Sequence, residues 1–403
     1  MDRKKILFFA EAVTLAHVAR ALALAATLDP ARFDIHFACA DGFEFCFKGS
    51  DYTRWRVHSI PGKQFLDALA AGKPVYDEAT LSGYVEADRR LLEQLRPDIV
   101  IGDFRLSLSV SARLAGVPYV ALTNAYWSPH VEAGYTVPNI PLTKFLPIAL
   151  ADPLFRMVRP LAFAAHSVPL NRVRRKYGLP SLGLDLRRVY TDADHTAYMD
   201  LPGMFAAKAL PANHSWLGPV LWSPPIAPPD WWDRLPAGRP IVYVTLGSSG
   251  QGQLLPQVLA ALATLPITLL AATAGNVALG AQPDNVYGAD FLPGEAAAAR
   301  AALVICNGGS PTSQQALAAG VPVLGIAGNL DQFLNMHGVT GAGAGTLLRA
   351  DRLRPAHLRA TVEAMLGDAA LRRNAAGVSA QFAKANAGER LLALIESMTA
   401  ARV

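Results

Sequence analysis

Cysteine and charge are both scarce in this chain of 403 residues. The three cysteines, Cys39, Cys46 and Cys306, form neither a CxxC pair nor a Cys/His cluster. That excludes a disulfide scaffold and a structural zinc site, and it fits a reducing compartment. Charged residues are 17% against 52% hydrophobic, which excludes disorder and a coiled coil. The 32 glycines and 29 prolines follow no period, so collagen-like structure is excluded. No basic run is interleaved with aromatics, and 37 Lys and Arg against 32 Asp and Glu leave only +5. The short cluster Arg172, Arg174, Arg175 and Lys176 reads as a solvated helix face, so nucleic acid is not an expected partner. A mild attraction for anions or for a membrane surface is allowed.

Long apolar runs are missing too. The start, MDRKKILFFAEAV, imitates a signal peptide, but Glu11 interrupts it and no cleavage site follows; a buried first strand is expected. Leu254–Gly275 is uncharged over about 20 residues, the length of a membrane span. Pro256 and Pro266 divide it into a helix (QVLAALATL) and a strand (ITLLAAT).

What the chain does contain is alternation. KILFFA at 5–10, a helix over 14–28 with Thr14 as N-cap, IHFACA at 35–40, a charged helix at 84–95, DIVIGD at 98–103, a helix at 107–115 and VPYVALT at 117–123 follow βαβ logic. Residues 125–217 are less regular and rich in aromatics and prolines, as excursions lining a binding cleft often are. The segment 219–240 carries five prolines between 219 and 229 and reads as a stiff linker. Alternation restarts with IVYVTLG at 241–247 and runs through NVYGADF, ALVICN and VPVLGIA to helices at 355–366 and 369–401. The expectation is an α/β protein with two facing, doubly wound parallel-sheet, Rossmann-like domains, 1–218 and 241–403. Ligands belong beyond the carboxyl ends of such strands.

The most informative stretch is VICNGGSPTSQQALAAGVPVLGIAGNLDQFLNM. A strand ending at Cys306 is followed by Asn307, Gly308 and Gly309, then Ser310, Thr312 and Ser313 with Pro311 suited to a first helical turn. Free backbone N–H groups at that helix start would suit a diphosphate, although an ordinary tight turn reads the same. A second strand ends near Gly328, and Asp331 with Gln332 could form a fork for vicinal hydroxyls; helix capping by Asp331 is the alternative.

Together these residues resemble the nucleotide-sugar signature of family 1 glycosyltransferases, which have the GT-B fold. The match runs without a gap from Asn307 through Gly308, Gly309, Thr312, Ala316, Leu317, Gly320, Val321, Pro322, Asp331 and Gln332 to Asn335. Three positions depart from it. Asn307 stands where the family has a His on the diphosphate, Gln315 where a Glu holds the ribose, and Ala327 where a Pro is usual. The resemblance implies a donor site of Gly247, Ser248 and Ser249 in VTLGSSG, Phe291 and Leu292 at the nucleobase, the turn Asn307–Ser310 with Thr312 and Gln315, and Asp331 with Gln332 on the sugar.

In the first half, TLAHVARALALA partly matches the family's G-H-x-x-P helix, with Ala16 before His17 and Arg20 in the Pro position. The resemblance makes His17 the base and Asp103, ending DIVIGD, the residue that orients it. A carboxylate beside a His stabilises the imidazolium that forms as the proton is taken. The alternatives are a helix-face His and an N-capping Asp. Arg105 reads as a surface arginine, with a charge directed to the cleft as its other reading. Tyr126 and Trp127 are the expected acceptor contacts, in a stretch that also holds Tyr135, Phe145, Phe155 and Phe163. Asp192-Ala193-Asp194 has the form of a metal-binding DxD but lacks a phosphate turn beside it, so no metal is expected.

The implied activity is inverting, metal-independent transfer of a sugar from a nucleoside-diphosphate sugar, a UDP-sugar first, to a hydroxyl of an apolar small molecule or lipid. No cofactor is expected. The expected location is the cytoplasm, with peripheral contact at the inner membrane allowed. A non-hydrolysing sugar-nucleotide epimerase and a non-catalytic sugar-nucleotide-binding protein are the alternatives.

Overall fold

The computed structural model describes residues 3–247 and 252–400. The chain divides into two compact units. One comprises residues up to 133, 146–220 and those from 385 on; the other comprises 134–145 and 221–384.

The first unit is built on seven strands: β1 (Lys4–Ala10), β2 (Phe33–Cys39), β3 (Thr53–Arg56), β4 (Ile99–Asp103), β5 (Tyr119–Thr123), β6 (His195–Tyr198) and β7 (His214–Trp216). They lie in the order β3-β2-β1-β4-β5-β6-β7, and every pairing is parallel. Residues Ile6 to Ala10 of β1 and all of β4 are buried. Strands covered on both faces carry unbroken apolar runs, and these two do. Helices α1 (Leu15–Ala25), α2 (Glu78–Leu95), α3 (Leu108–Ala115) and α4 (Ile148–Lys176) belong to this unit. The order reverses between β1 and β4, where Ala10 lies opposite Asp103. This is the switch point, at which the loops diverge and leave a crevice.

The second unit repeats the plan with β8 (Ile241–Thr245), β9 (Thr268–Ala272), β10 (Val286–Ala289), β11 (Leu303–Cys306), β12 (Val323–Ala327) and β13 (Gly345–Arg349). Their order is β10-β9-β8-β11-β12-β13. All are parallel, and the switch point lies between β8 and β11, where Thr245 pairs with Cys306. The long uncharged stretch is indeed a helix, Leu255–Leu262, followed by strand β9. No helix among the described residues is long and apolar enough to cross a membrane. Beyond β11 and β12 come α5 (Ser310–Ala318) and α6 (Leu330–Gly341), and later α7 (Pro355–Gly367).

Two expectations about the chain's course need correction. The helix expected over 369–401 is two, α8 (Ala369–Phe382) and α9 (Ala387–Ala400). The second packs in the first unit rather than with 241–384. Its Leu391 and Ile395 are fully buried, and Thr399 accepts a hydrogen bond from Lys4 Nζ at 2.6 Å. Conversely, 134–145 leaves the first unit for the second. Asn139 N–H donates to the Gly328 carbonyl at 2.7 Å, and Arg349 donates to the Val137 carbonyl at 2.6 Å. The proline-rich 221–240 segment counts with the second unit.

Candidate active site

In the first unit, α1 begins directly after β1 and presents His17 in its first turn. Thr14 is at the N-cap position, but its side chain makes no capping bond. His17 Nδ1 lies 2.7 Å from Asp103 Oδ1 at the end of β4. A carboxylate can only accept, so this contact calls for hydrogen on Nδ1, with Nε2 as the basic atom. Arg20 Nη2 lies 3.1 Å from the same Nδ1 but also 2.9 Å from Asp103 Oδ1; its hydrogen goes to the carboxylate, and the shorter His17–Asp103 contact sets the tautomer. The His17 side chain is 16% exposed and Asp103 1%. The expected pair is thus brought together by the switch point itself.

Arg20, in the position where the resembling pattern has proline, completes this cluster. Its Nε donates to Asp103 Oδ2 at 3.0 Å and its Nη2 to Oδ1 at 2.9 Å. Nη1 donates to Asn124 Oδ1 at 2.8 Å, and Asn124 in turn donates to Asp200. The fork fixes the carboxylate that fixes the histidine. Sequence reasoning noted Arg20 only as a departure. Its i+3 spacing from His17 on one helix face was the available signal.

Phe104, next after Asp103, has φ of 59°. A phenylalanine in the left-handed region is strained, and here the strain lays its ring on His17, 4.9 Å between centroids and 8° from parallel. On its other side Phe104 lines a cavity with Tyr76, Leu106, His166, Leu170 and Tyr190. Its volume, about 20 Å³, fits little more than a water. The Tyr76 hydroxyl is buried without a hydrogen-bond partner, and burial raises its pKa well above the usual tyrosine value.

The expected acceptor contacts separate. Trp127 sits edge-on to the cavity residue Tyr190 at 5.1 Å. Tyr126 is fully buried, packs on Phe205 at 5.4 Å, and is absent from the cavity lining. Phe155 and Phe163 are core residues, whereas Phe145 is 83% exposed. Arg105 is neither at the surface nor aimed at a crevice. It is wholly buried, 2.7 Å from Glu11 Oε2 and 2.8 Å from Asp88 Oδ1. The DxD carboxylates are occupied as well. Asp192 pairs with Arg113 and Arg174, and Asp194 accepts from the Tyr119 N–H.

In the second unit, the turn after β11 meets the loop after β8. Gly308 has φ of +82°, and a Cβ there would lie 2.9 Å from Met336 Cγ, so both backbone and space require glycine. Asn335 Nδ2 donates to the Gly308 carbonyl at 2.8 Å and to Ser313 Oγ at 2.9 Å, pinning the turn from α6. Gly247 (φ +67°) lies so close to Asn307 that a Cβ would stand 2.8 Å from its Nδ2. Ser248 and Ser249 lie outside the described residues.

The expectation of free N–H groups is only partly met. Gly308 N–H contacts Cys306 Sγ at 3.3 Å, and Gly309 N–H donates to Asn307 Oδ1 at 2.9 Å. Asn307 therefore caps its own turn. Among the described residues the Thr312 N–H in the first turn of α5 keeps no partner. Gln315 Nε2 is used on the Trp222 carbonyl at 2.5 Å and on Ser223 Oγ at 3.3 Å. Gln332 also has a structural duty. Asn329, not Asp331, caps α6, and Gln332 Oε1 closes the capping box by accepting from the Gly328 and Asn329 N–H groups at 2.8 and 3.2 Å. Asp331, in the first turn, is partly exposed. Phe291 is 38% exposed and Leu292 is buried.

Two parallel-sheet Rossmann-like units, each with a loop cluster at its switch point, are the architecture of the GT-B fold. Residues 256–393 match the erythromycin biosynthesis protein CIII-like, C-terminal domain. The chain is 51% identical over 386 residues to the PGL/p-HBAD biosynthesis glycosyltransferase of Mycobacterium tuberculosis (strain ATCC 25177 / H37Ra), covering 96% of this chain and 90% of that one. It is 52% identical to the PGL/p-HBAD biosynthesis rhamnosyltransferase of Mycobacterium bovis (strain BCG / Pasteur 1173P2), over 96% and 86%. Among solved structures, the spinosyn forosaminyltransferase SpnP superposes with a TM-score of 0.71 at 19% identity, over 99% of this chain and all of that one. The chain belongs to the bacterial family 1-like glycosyltransferases, and its reaction class is glycosyl transfer from a nucleotide sugar.

Proposed function

We propose that the first unit binds an apolar acceptor bearing one hydroxyl, and that His17 takes its proton as the acceptor oxygen attacks the anomeric carbon of the donor. The bond from that carbon to the diphosphate oxygen breaks, the diphosphate leaves with the electron pair, and configuration inverts. The observation that carries this reading is the His17–Asp103 pair at 2.7 Å with Phe104 joining it to an aromatic-walled cavity. Nε2 becomes protonated in the step, and Asp103 stabilises the resulting imidazolium. Arg20 holds Asp103 in place through both carboxylate oxygens.

In the second unit the donor diphosphate is read onto the start of α5, with Thr312 N–H and the Ser310 and Thr312 hydroxyls as donors and the helix dipole favouring the leaving charge. Asn307, neutral and used in its own turn, supplies less there than a histidine would. Asp331 is read onto the sugar hydroxyls. A UDP-sugar is the first donor to try. One relative is named a rhamnosyltransferase, which makes rhamnose a first sugar to try.

The test combines a donor panel with apolar alcohols and phenols. His17→Ala is expected to lower kcat by about 10²–10⁴-fold while calorimetric donor affinity stays unchanged. Full activity of that variant on an alkyl alcohol would remove His17 from the base role. Hydrolysis of the donor without transfer to any acceptor would count against the acceptor assignment.

A further inference from the structure

One apolar surface of the first unit has no use in the chemistry above. Helix α4 (Ile148–Lys176) buries Ala151, Phe155, Phe163, Ser167 and Leu170 against the unit. At 3.6 residues per turn, Leu150, Leu154, Met157, Leu161, Ala165 and Val168 fall on a single opposite line, spaced four, three, four, four and three. Leu150, Met157 and Leu161 are 60%, 71% and 73% exposed. Solvated leucine and methionine side chains in a row over roughly 17 Å of helix, from Leu150 to Leu161, mark an interaction surface.

The same line continues into the last turn as Arg172 and Arg175, with Lys176 beside them, all exposed. Arg172 is 3.8 Å from the exposed carboxylate of Glu78. Over its length α4 carries six Arg and Lys residues (156, 159, 172, 174, 175 and 176) against the single acid Asp152. Arg174 is buried on Asp192 and Arg156, exposed off this line, pairs with Asp152 at 2.8 Å, so the exposed cations of the last turn, Arg172, Arg175 and Lys176, are the ones on or bordering this line. An apolar stripe that ends in a cationic turn complements one kind of surface. Leucine and methionine enter the headgroup–acyl boundary while the cations meet lipid phosphates. The inner side of the same helix supplies His166 and Leu170 to the cavity wall, so stripe and cavity are separated by one helix.

We propose that this face of α4 docks the protein on an anionic lipid bilayer, holding the acceptor cavity beside the membrane from which a lipid acceptor would come. The delivery of acceptor rests on the proposed function, but the docking does not. It is measured by flotation of the full chain with phosphatidylcholine vesicles containing one quarter phosphatidylglycerol, and with phosphatidylcholine alone. Wild type is expected to float with the anionic vesicles and to be released by high salt. Leu150→Gln/Met157→Gln/Leu161→Gln is expected to lower partitioning by at least about tenfold, and Arg172→Gln/Arg175→Gln/Lys176→Gln to remove the preference for anionic vesicles. Both variants should keep the wild-type melting temperature and turnover of a water-soluble acceptor. Failure of wild type to float, or equal flotation of the leucine–methionine variant, overturns the proposal. So does light scattering showing a wild-type dimer that this variant splits, because the stripe would then cover a second copy. Absence of turnover by wild type with every acceptor would instead count against the transfer reading, and leaves the flotation result standing.

Discussion

Arg105 stands two residues after Asp103, and its charge is consumed entirely inside the first unit. Burial opposes its protonated form, but the carboxylates of Asp88 and Glu11 outweigh that and raise its pKa further. Its Nη1 also donates to the His58 carbonyl at 2.7 Å, Ser107 donates to Asp88, and the Tyr84 hydroxyl donates to Glu11 at 3.1 Å. Replacing the arginine alone strands two buried carboxylates. Arg105→Met is therefore expected to destabilise the protein by about 3–5 kcal/mol, read from the shift of the urea unfolding midpoint. An unchanged midpoint would mean that water reaches these carboxylates. A second residue gives the pH sign. Burial, followed by the neighbouring His130 and His195, lowers the His214 pKa from its ordinary 6.5 to about 4. Its Nδ1 meets the Tyr198 hydroxyl at 2.5 Å. Between those values the unfolded chain binds a proton that the folded one does not, so stability falls as pH falls from 6.5 towards 4. The slope is about 1.4 kcal/mol per pH unit for this group. His214→Gln is expected to flatten that part of a stability–pH profile.

At the scale of elements, the turn between β11 and α5 is held by shape more than by charge. Glycine at 308 is required twice over, by its positive φ and by Met336, and Asn335 fixes the turn from the neighbouring helix. Gly308→Ala is expected to weaken donor binding at least about tenfold, since the strain of a side chain at this φ falls on the turn itself. Calorimetry with the nucleoside diphosphate measures it, and His17→Ala is the control that leaves it unchanged. The central strands of both sheets were legible because parallel strands buried on both faces must be continuously apolar, and ILFFA, IVIG and VLGIA are, whereas the edge strands TRWR and HSW carry no such run and were not read as strands. The pairing of His17 with Asp103 was legible through the resemblance, supported by their places after β1 and at the end of β4, neighbours in a doubly wound order. The capping by Asn329 and Gln332 was not, since a sequence shows that an amide stands near a helix start but not which acceptor its backbone neighbours will take. The cavity wall was half-legible. Tyr76 and Tyr190 come from distant segments, and nothing local distinguishes the buried Tyr126 from Trp127 beside it.

At the scale of the whole molecule, the chain does not change unit once but several times. Residues 134–145 and the C-terminal helix each belong to the unit that their neighbours in sequence do not. Composition hides this, because α8 and α9 are both amphipathic and only four residues separate them. What commits α9 to the first unit is specific contact. Gly388 lies so close to Thr27 that a Cβ would meet it at 2.7 Å. Arg390 donates to the Trp216 and Leu217 carbonyls, Glu396 pairs with Arg32, and Leu391 and Ile395 have no exposed surface. A chain ending at Lys384 removes these contacts from the first unit. Two fully buried aliphatic side chains alone are worth about 3–6 kcal/mol. The truncated chain is therefore expected to lose hydrogen-exchange protection in β1, α1 and β7 while β8, β11 and β12 keep theirs. Nucleoside diphosphate binding should survive and glycosyl transfer should fall. Loss of protection confined to β8–β13 would show that the last helix serves the second unit instead, as a division at residue 241 had implied.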